Sequence, residues 1–454
     1  MSRARQDQRA DAPRRFKRYP AYKDSGVEWL GEVPVGWEVL SLKRVASIKY
    51  GLGEPPQLLA EGLPFIRATN VTRGRIVDRN LQFVDPDDVP WNREPALRAG
   101  DIIVVRSGAY TGDSAIIPAQ YDGAIAGYDM VVRGRTCQPD FLAWTLLSRY
   151  VLEAQIELAS LRAAQPHLNA EELGSVVLLR PSDSEQRAIA TYLDRETARI
   201  DALVAKKQRL IELLLEQRTA LITRAVTKGL DPKVPMKDSG VEWLGEIPVG
   251  WDVKRLKFIL AAPLKYGANE SADLDDPDLP RYVRITDIDE SDGLRDETFK
   301  SLPVEIASEY MLREGDLLFA RSGATAGKTF LYRSSWGECA YAGYLIRARI
   351  DTTRDCPEFI RYFTASSSYW LWLSSVFIQA TIQNVSSERY ASLRLPLPLL
   401  SEQRAIATHL DRETARIDAL GAKVRNAITH LKELRTALIS AAVTGKIDLR
   451  EEVA

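Results

Sequence analysis

Leucine and isoleucine recur at helical spacing in two segments of the chain. In the first segment the apolar positions lie seven, three, seven, four and seven residues apart, and they are Leu193, Ile200, Leu203, Leu210, Leu214 and Leu221. The second segment repeats these steps with Leu410, Ile417, Leu420, Ala427, Leu431 and Leu438. This spacing predicts two long α-helices, each with a narrow apolar seam. Such a seam needs a partner, so we expect the two helices to pair antiparallel around an approximate two-fold axis. The alternative is that each helix packs on its own domain.

Polar residues predict where these helices begin and end. Ser184 and Ser401 can cap the two N-termini, and an acidic residue follows each of them in the first turn. The first helix should end near Lys228 and Gly229, shortly before an Asp-Pro pair.

Shorter patterns outside the helices also come in pairs. An alternating, strand-like stretch from Ile66 to Val71 matches Val283 to Ile288. Gly-Asp followed by apolar residues and then Arg-Ser-Gly, a pattern typical of a turn, a buried strand and another turn, begins at Gly100 and at Gly315. A proline with an acidic neighbour marks a helix start at Pro139 and at Pro357. Each half therefore holds one mixed α/β domain.

Two blocks of sequence repeat almost without change. The segment KDSGVEWLGEVPVGW, which starts at Lys23, returns from Lys237 with one substitution, and SEQRAIATYLDRETARIDAL, which starts at Ser184, returns from Ser401 with one substitution. The segments between these blocks, Glu38 to Arg180 and Asp252 to Leu397, have diverged much further. The chain is thus an internal repeat in which constant flanks enclose variable domains.

Composition and charge are those of a soluble globular protein. Lys and Arg (61) nearly balance Asp and Glu (62), so any affinity for nucleic acid must come from local patches. Three cysteines and three histidines at scattered positions give little material for a disulfide framework, a zinc site or a catalytic triad. Without an apolar run long enough to cross a bilayer, or a signal peptide behind the basic N-terminus, we expect a cytoplasmic protein. That N-terminus is either a solvated tail or an auxiliary arm that contacts phosphate.

Motifs for catalysis and for nucleotide binding are incomplete. The segment from Gly323 to Thr329 has three residues between its glycines where a phosphate-binding loop needs four, and the first half has an acidic residue at the matching lysine. No G-x-S-x-G or H-E-x-x-H motif occurs. We therefore expect no catalysis by this chain.

The repeat resembles the specificity (S) subunit of type I restriction-modification enzymes. The resemblance covers Tyr22 to Asp448, and its most specific signatures are W-L-G-E-[VI]-P-x-G-W, from Trp29 and from Trp243, and S-E-Q-[RQ]-x-I-A, from Ser184 and from Ser401. It implies an α+β (mixed α/β) fold with two target recognition domains, joined by two long helices that pair as an antiparallel coiled coil with a pseudo-two-fold repeat.

The resemblance also implies function and partners. Each recognition domain would read one half of a bipartite double-stranded DNA target, while the helices set the spacing and dock methyltransferase (M) subunits, two of them on this hypothesis. Restriction (R) subunits would join through the M subunits. No cofactor would bind this chain, and S-adenosylmethionine, ATP and Mg would act on the partner subunits. The alternative is a duplicated coiled-coil scaffold that binds protein partners and not DNA.

On this interpretation the chain divides into six segments. They are a basic extension (1–21), target recognition domain 1 (22–183), a first spacer helix (184–231), target recognition domain 2 (232–400), a second spacer helix (401–448) and a tail (449–454).

Polar side chains near the shared turns are the candidate DNA contacts, because these residue types reach base edges and phosphates. In the first domain they are Arg67, Thr69, Asn70, Arg73, Arg75, Arg106, Ser107, Tyr110 and Gln165. In the second they are Arg284, Thr286, Arg321, Ser322, Thr325, Lys328, Gln383 and Asn384. Shared residues such as Arg106 and Arg321 should contact phosphate, because two domains that read different bases have only the backbone in common. Unshared residues such as Arg73 and Lys328 are the better candidates for base readers.

Overall fold

The computed structural model describes residues 16–158, 167–289, 293–378 and 384–452. The chain divides into two compact units, one formed by Met1–Lys207 with Asn426–Ala454 and the other by Gln208–Arg425. Each unit contains one α/β domain and a part of both long helices.

The first unit combines short strands with short helices. Its strands are β1 (Tyr22–Asp24), β2 (Glu32–Pro34), β3 (Glu38–Ser41), β4 (Ala46–Tyr50), β5 (Leu58–Leu59), β6 (Leu63–Ile66), β7 (Val71–Thr72), β8 (Arg75–Ile76), β9 (Gln82–Val84), β10 (Ile102–Val104), β11 (Ser114–Ile116), β12 (Ile125–Ala126), β13 (Met130–Gly134) and β14 (Val177–Arg180). Its helices are α1 (Leu42–Val45), α2 (Pro139–Leu146), α3 (Arg149–Val151), the π-helical turn Leu152–Glu157, α4 (Ala170–Ser175) and the first part of the long helix α5 (Asp183–Lys228).

Two four-stranded sheets organise this unit. One is antiparallel with the strand order β11-β10-β13-β4, and the other has the order β12-β6-β9-β5, in which β12 and β6 are parallel. Strand β10, Ile-Ile-Val, is buried on both faces. Ile102 and Val104 lie in the core that includes residues of α2, and Ile103 lies in a second core with Val105 and Ala115.

The second unit repeats this plan. Its strands are β15 (Met236–Asp238), β16 (Glu246–Pro248), β17 (Asp252–Arg255), β18 (Leu260–Tyr266), β19 (Arg281–Val283), β20 (Asp316–Ala320), β21 (Thr329–Leu331), β22 (Cys339–Tyr341), β23 (Leu345–Ile350) and β24 (Arg394–Leu397). Its helices are α6 (Val304–Ala307), α7 (Pro357–Thr364), α8 (Ser367–Ile378), α9 (Ser387–Ser392) and the first part of the long helix α10 (Leu400–Val443).

The strand order of the second unit matches that of the first. The antiparallel sheet β18-β23-β20-β21 corresponds to β4-β13-β10-β11, and the parallel pair β19-β22 corresponds to β6-β12. The predicted buried strands after Gly100 and Gly315 are confirmed as β10 and β20, and the predicted helix starts at Pro139 and Pro357 are confirmed as the first residues of α2 and α7.

One predicted strand is wrong. The stretch from Ile66 to Val71 is not continuous, because β6 ends at Ile66 and Ala68–Asn70 form a 3₁₀ turn before β7 begins. The equivalent stretch contains the 3₁₀ turn Ile285–Asp287. In both turns the side chain at the third position accepts a hydrogen bond from the backbone N–H of the preceding arginine, so a local side-chain bond replaces the strand ladder.

A buried ion pair explains the shared Gly-Asp turns. Asp101, which is 2% exposed, accepts two hydrogen bonds from the Arg133 guanidinium at 2.7 and 2.6 Å. Asp316, at 1% exposure, accepts the same two from Arg349 at 2.8 and 2.6 Å. These residues therefore belong to the scaffold of each sheet.

The long helices pair antiparallel within each unit. In the first unit Arg435 Nε donates to Asp201 Oδ1 at 3.0 Å, and Leu193 and Ile200 share a core with Leu438. In the second unit Arg218 Nε donates to Asp418 Oδ1 at 3.1 Å, and Leu410 lies in the core with Ile222. The two ion pairs occupy equivalent positions in the internal repeat, so the helices pair in the same register in both units.

The predicted seam is only partly buried. Leu193, Ile200, Leu214, Leu410 and Leu438 are buried, and Leu221, Ile417 and Leu431 are half-buried. Leu203, Leu210 and Leu420 are 40%, 39% and 45% exposed. The continuous seam is therefore wrong at these three positions, whereas Val424 and Ile428 of α10, which the predicted seam did not include, are buried.

The helix starts also differ from the prediction. The Ser182 hydroxyl and the Glu185 carboxylate bond to each other's backbone N–H groups, so the first cap is Ser182 and not Ser184. The second helix begins at Leu400, which places Ser401 inside its first turn. The first helix ends at Lys228, as predicted.

Residues that precede the first recognition domain are part of the first unit. Tyr19 is buried in the same core as Trp37, and the backbone N–H of Asp448 donates to the carbonyl of Lys17. Residues 1–15 of the basic extension lie outside the described residues.

Among the described residues, no helix combines the length and the apolar character needed to cross a membrane. In the same part of the chain, no group of three or more histidine, cysteine or acidic side chains could hold a metal ion. The three cysteines are free thiols, and burial raises the pKa of Cys339 to about 12.

Candidate nucleic-acid interface

Arg106 lies in an aromatic cluster at the end of β10. Its guanidinium carbon lies 4.5 Å from the ring centre of Tyr50 and 4.3 Å from that of Tyr128. Its Nη2 lies 3.1 Å from Nε2 of His167, and because arginine can only donate, the histidine nitrogen accepts. The side chain is therefore a cation held in a fixed orientation by two rings and an imidazole.

Arg321 occupies the equivalent position in the second unit, where its guanidinium lies over one tyrosine ring and bonds to an asparagine. Its guanidinium carbon lies 4.8 Å from the ring centre of Tyr266, and its Nε donates to Oδ1 of Asn384 at 3.4 Å. Its backbone N–H donates to the carbonyl of Tyr344 at 3.0 Å. We call Arg106, Tyr50, Tyr128 and His167 the first arginine cluster, and Arg321, Tyr266, Tyr344 and Asn384 the second.

Backbone contacts hold each cluster together. The Tyr50 hydroxyl accepts from the N–H of Ala170 at 2.8 Å, and the Tyr266 hydroxyl accepts from the N–H of Ser387 at 2.9 Å. The tyrosines thereby connect the end of the first strand of each sheet to the short helix that precedes the long one.

Two glycines allow the tyrosine turns to approach each other. A Cβ on Gly51 would collide with the carbonyl oxygen of Gly127, and a Cβ on Gly267 would collide with that of Tyr341. The turns that carry the two tyrosines of each cluster therefore cross at backbone contact, which only glycine permits.

A carboxylate lies beneath the first cluster but has no counterpart in the second. Asp129 is 2% exposed and accepts from the backbone N–H of Arg106 at 3.2 Å. Burial raises the pKa of Asp129, and the N–H donors of Arg106 and Ala68 oppose this shift. The equivalent residue in the second unit is Leu345.

The clusters suit contact with a nucleic acid. A guanidinium presents donors to phosphate oxygens or to a guanine edge, and exposed tyrosine rings offer stacking faces. Tyr128 is 46% exposed and Tyr344 is 64% exposed.

Several other predicted contacts are exposed on the same domains. Thr69 and Thr286 occupy equivalent 3₁₀ turns, and Lys328 lies just before β21. Tyr110 is 59% exposed in the loop after β10. Ser107, Ser322 and Thr325 are half-buried, and Asn384 is exposed. Ser107 pairs with His167, and Ser322 with Asn384, in equivalent β-bridges.

The remaining predicted arginines have partners within their own units. Arg67 donates to the carbonyl of Asn80 at 3.1 Å. Arg73 forms an ion pair with Asp113 at 2.9 Å, and Arg75 forms one with Asp201 of α5 at 2.5 Å. Each of these arginines uses one N–H group in these contacts, so other N–H donors of its guanidinium stay available to phosphate or base edges.

Arg284 and Asn70 have structural roles in this conformation. Arg284 forms two hydrogen bonds with the buried carboxylate of Asp287, at 3.0 and 2.7 Å, and this carboxylate raises the pKa of the guanidinium. Asn70 is 0% exposed, and its amide donates to the carbonyls of Val77 and Arg79 at 3.1 Å. The prediction that Asn70 faces DNA is therefore corrected, because its side chain fixes the turn from within. The predicted contacts Gln165 and Gln383 lie outside the described residues.

The cluster residues that the sequence did not predict are Tyr50, Tyr128, Tyr266, Tyr344 and His167. The signal for the tyrosines is a pair of tripeptides that both halves share. Lys-Tyr-Gly starts at Lys49 and Lys265, and Ala-Gly-Tyr starts at Ala126 and Ala342. His167 differs from its counterpart Asn384, so the repeat gave no signal for it.

Comparisons with known proteins agree with this architecture. Residues 248–430 match the family model described as type I restriction modification DNA specificity domain. The chain is 22% identical to the type I restriction enzyme StySPI specificity subunit of Salmonella potsdam and 23% identical to the EcoKI specificity subunit of Escherichia coli K12. Each alignment covers 92% of this chain and 90% of the relative.

Solved structures share the fold. A chain from a study of complex assembly and conformational transition of the type I R-M system has a TM-score of 0.71 at 18% identity, and covers 91% of this chain and 99% of its own length. The HsdS subunit from Thermoanaerobacter tengcongensis has a TM-score of 0.53 at 17% identity, with 91% and 98% covered.

The duplicated α/β domains with paired long helices define a two-domain protein whose halves share one structural plan. The chain is thus similar to type I restriction enzyme specificity subunits over nine-tenths of its length, and residues 248–430 match the DNA specificity domain of that family.

Proposed function

We propose that the chain reads a bipartite double-stranded DNA target, one half with each α/β domain, and leaves catalysis to partner subunits. The observation that carries this proposal is the pair of equivalent arginine clusters, one in each unit. Two sites built around an equivalent arginine and tyrosine, on domains of different sequence, are what a split target requires, because shared groups can contact the backbone while diverged neighbours read different bases.

The long helices support a spacer role. The ion pairs Asp201–Arg435 and Arg218–Asp418 fix one antiparallel register in both units. Since half-sites on one face of a duplex repeat at about one helical turn, a stiff helical pair is a suitable element to set their separation.

Partners follow from the family and from the repeat. We propose that methyltransferase subunits bind the near-identical helical blocks, that the duplication provides for two of them, and that restriction subunits join through them. S-adenosylmethionine, ATP and Mg would then act on those subunits, in the cytoplasm where the DNA is modified. The alternative of a scaffold without DNA binding has no support from the comparisons.

A domain exchange tests the proposal. The chain is co-expressed with its methyltransferase partner, and methylated positions are mapped by sequencing host DNA. Replacing residues 38–180 by the equivalent segment of another specificity subunit should change one half of the methylated motif and leave the other half and the gap unchanged. The control is the same exchange at residues 252–397, which should change the opposite half. A motif that changes in both halves, or in neither, contradicts the proposal.

A further inference from the structure

A cavity of about 430 Å³ opens beside the second arginine cluster. The buried residues Ala268, Tyr282 and Ala342 form its floor. Its more exposed lining consists of Asn269, Glu270, Thr286, Ser322 and Tyr344. The cavity thus lies where three predicted DNA contacts of this domain, Arg284, Thr286 and Ser322, converge.

The charges of the lining indicate a neutral ligand. Arg284 lines the cavity, but its guanidinium is already paired with the carboxylate of Asp287. Glu270 adds an exposed carboxylate to the lining. Among the described lining residues, a phosphate would meet no unpaired cation, whereas a neutral group with hydrogen-bonding edges suits Asn269 and Thr286.

The volume and the lining residues suit a flat ring. The volume lies within the range of small-molecule pockets, about 300–1,000 Å³, and far exceeds the space for a single methyl group. The Tyr282 hydroxyl donates to the carbonyl of Ala268 at 2.7 Å, so its polar end is satisfied within the protein. The small residues Ala268, Ala342 and Gly343 leave the space open, and the exposed ring of Tyr344 offers a stacking face.

The first domain has a bulkier residue at this place. Leu52 follows Lys-Tyr-Gly where the second domain has Ala268, and it is 4% exposed in a core cluster with Phe65 and Ile125. Phe65 in turn is the counterpart of Tyr282. The domain fold therefore accepts leucine at the position of Ala268.

We propose that this cavity receives one nucleobase that leaves the stack of the second half-site. This proposal rests on the proposed function, and it adds which group of the DNA the second domain binds. Tyr344 would stack on the base, and Asn269 and Thr286 would bond to its edge. Arg321, whose backbone N–H bonds to the Tyr344 carbonyl, would contact the adjacent backbone.

The test uses the full chain assembled with its methyltransferase partner, on duplexes that carry the methylome-mapped target. The base opposite each position of the second half-site is replaced, one position at a time, by an abasic site. Removing the pairing partner of the extruded base lowers the cost of unstacking, so affinity should rise about tenfold at that position.

Two variants locate the effect. Ala268→Leu fills the cavity as Leu52 fills its counterpart, and Tyr344→Leu removes the stacking ring from an exposed position. Both variants should show no gain in affinity at that abasic position, and both should bind the intact target about tenfold more weakly than the wild type. Ala261→Leu is the matched control, because it makes the same change at an exposed alanine of β18 and should behave as the wild type.

Each outcome decides the proposal. The proposal is overturned if the wild type gains affinity at no abasic position. It is also overturned if every gain in affinity persists in both variants, because such a gain would not depend on this cavity. Should Ala268→Leu fail to assemble, Tyr344→Leu decides alone. A cavity that served a free nucleoside would leave DNA binding by both variants unchanged, which also overturns it. Failure of the wild type to distinguish target from scrambled duplex would instead refute the proposed function.

Discussion

At the residue scale, the fixed orientation of Arg106 and Arg321 leads to a prediction about phosphate contacts. Replacing either arginine by alanine should weaken binding to all DNA sequences about equally and lower the magnitude of the salt slope by about one unit, because one counterion fewer is released. Fluorescence anisotropy with target and scrambled duplexes at several salt concentrations measures both quantities. Arg44→Ala, at an exposed position on α1, is the control. A change of base preference in either variant would show that these arginines contact base edges.

The buried ion pairs lead to a prediction about stability. Arg349→Ala leaves the Asp316 carboxylate buried without its partner, so the free energy of unfolding should fall by about 3 kcal/mol. Urea denaturation followed by tryptophan fluorescence measures this loss. Arg354→Ala removes an exposed arginine from the same domain and should change stability little. Equal midpoints for the two variants would mean that the Asp316–Arg349 pair adds no net stability.

Sequence comparison between the two halves found shared residues but could not separate scaffold from surface. Arg106 and Asn70 both lie in stretches that the two halves share, yet Arg106 is half-buried in an aromatic cluster and Asn70 is buried inside a turn. The Asp101–Arg133 pair also repeats between the halves, and it serves the sheet. A shared polar residue can be retained for packing or for the ligand, and only its burial and its hydrogen-bond partners distinguish the two.

At the element scale, the uneven burial of the helix seam leads to a matched comparison. Leu193→Ala removes a side chain with no exposed surface and should lower the free energy of unfolding by about 3 kcal/mol. Leu203→Ala makes the same change ten residues away on α5, where the leucine is 40% exposed, and should cost less than about 1 kcal/mol. Chemical denaturation of the two variants is the measurement. Similar losses would indicate that Leu203 is buried in solution.

Periodicity predicted the long helices well because a stripe over several heptads is a strong and redundant signal. The prediction failed where tertiary contacts decide. Leu210 and Leu420 satisfy the heptad spacing, but spacing does not say whether the facing helix has a side chain within reach. Helix starts depend on one or two side-chain bonds, so Ser182, two residues ahead of the predicted cap, could take that role.

At the scale of the whole molecule, the proposed spacer role of the helices leads to a prediction about the gap between the half-sites. Inserting seven residues between Leu203 and Leu210 preserves the heptad phase and adds about 10.5 Å of helix. A matched insertion between Leu420 and Ala427 keeps the helices equal in length, so the pairs Asp201–Arg435 and Arg218–Asp418 can both form as they do now.

The doubly inserted chain should keep both half-site sequences, because neither recognition domain is altered. The unread gap between them should lengthen by about three base pairs at ~3.4 Å each. Methylome mapping of the variant, assembled with its methyltransferase partner, measures the gap directly. A seven-residue insertion in the exposed Ser271–Asp278 loop of the second domain is the control and should leave the gap unchanged. If the doubly inserted variant methylated targets with the original gap, the length of the helices would not determine the spacing, and the spacer role would have to be abandoned while DNA recognition by the two domains remained.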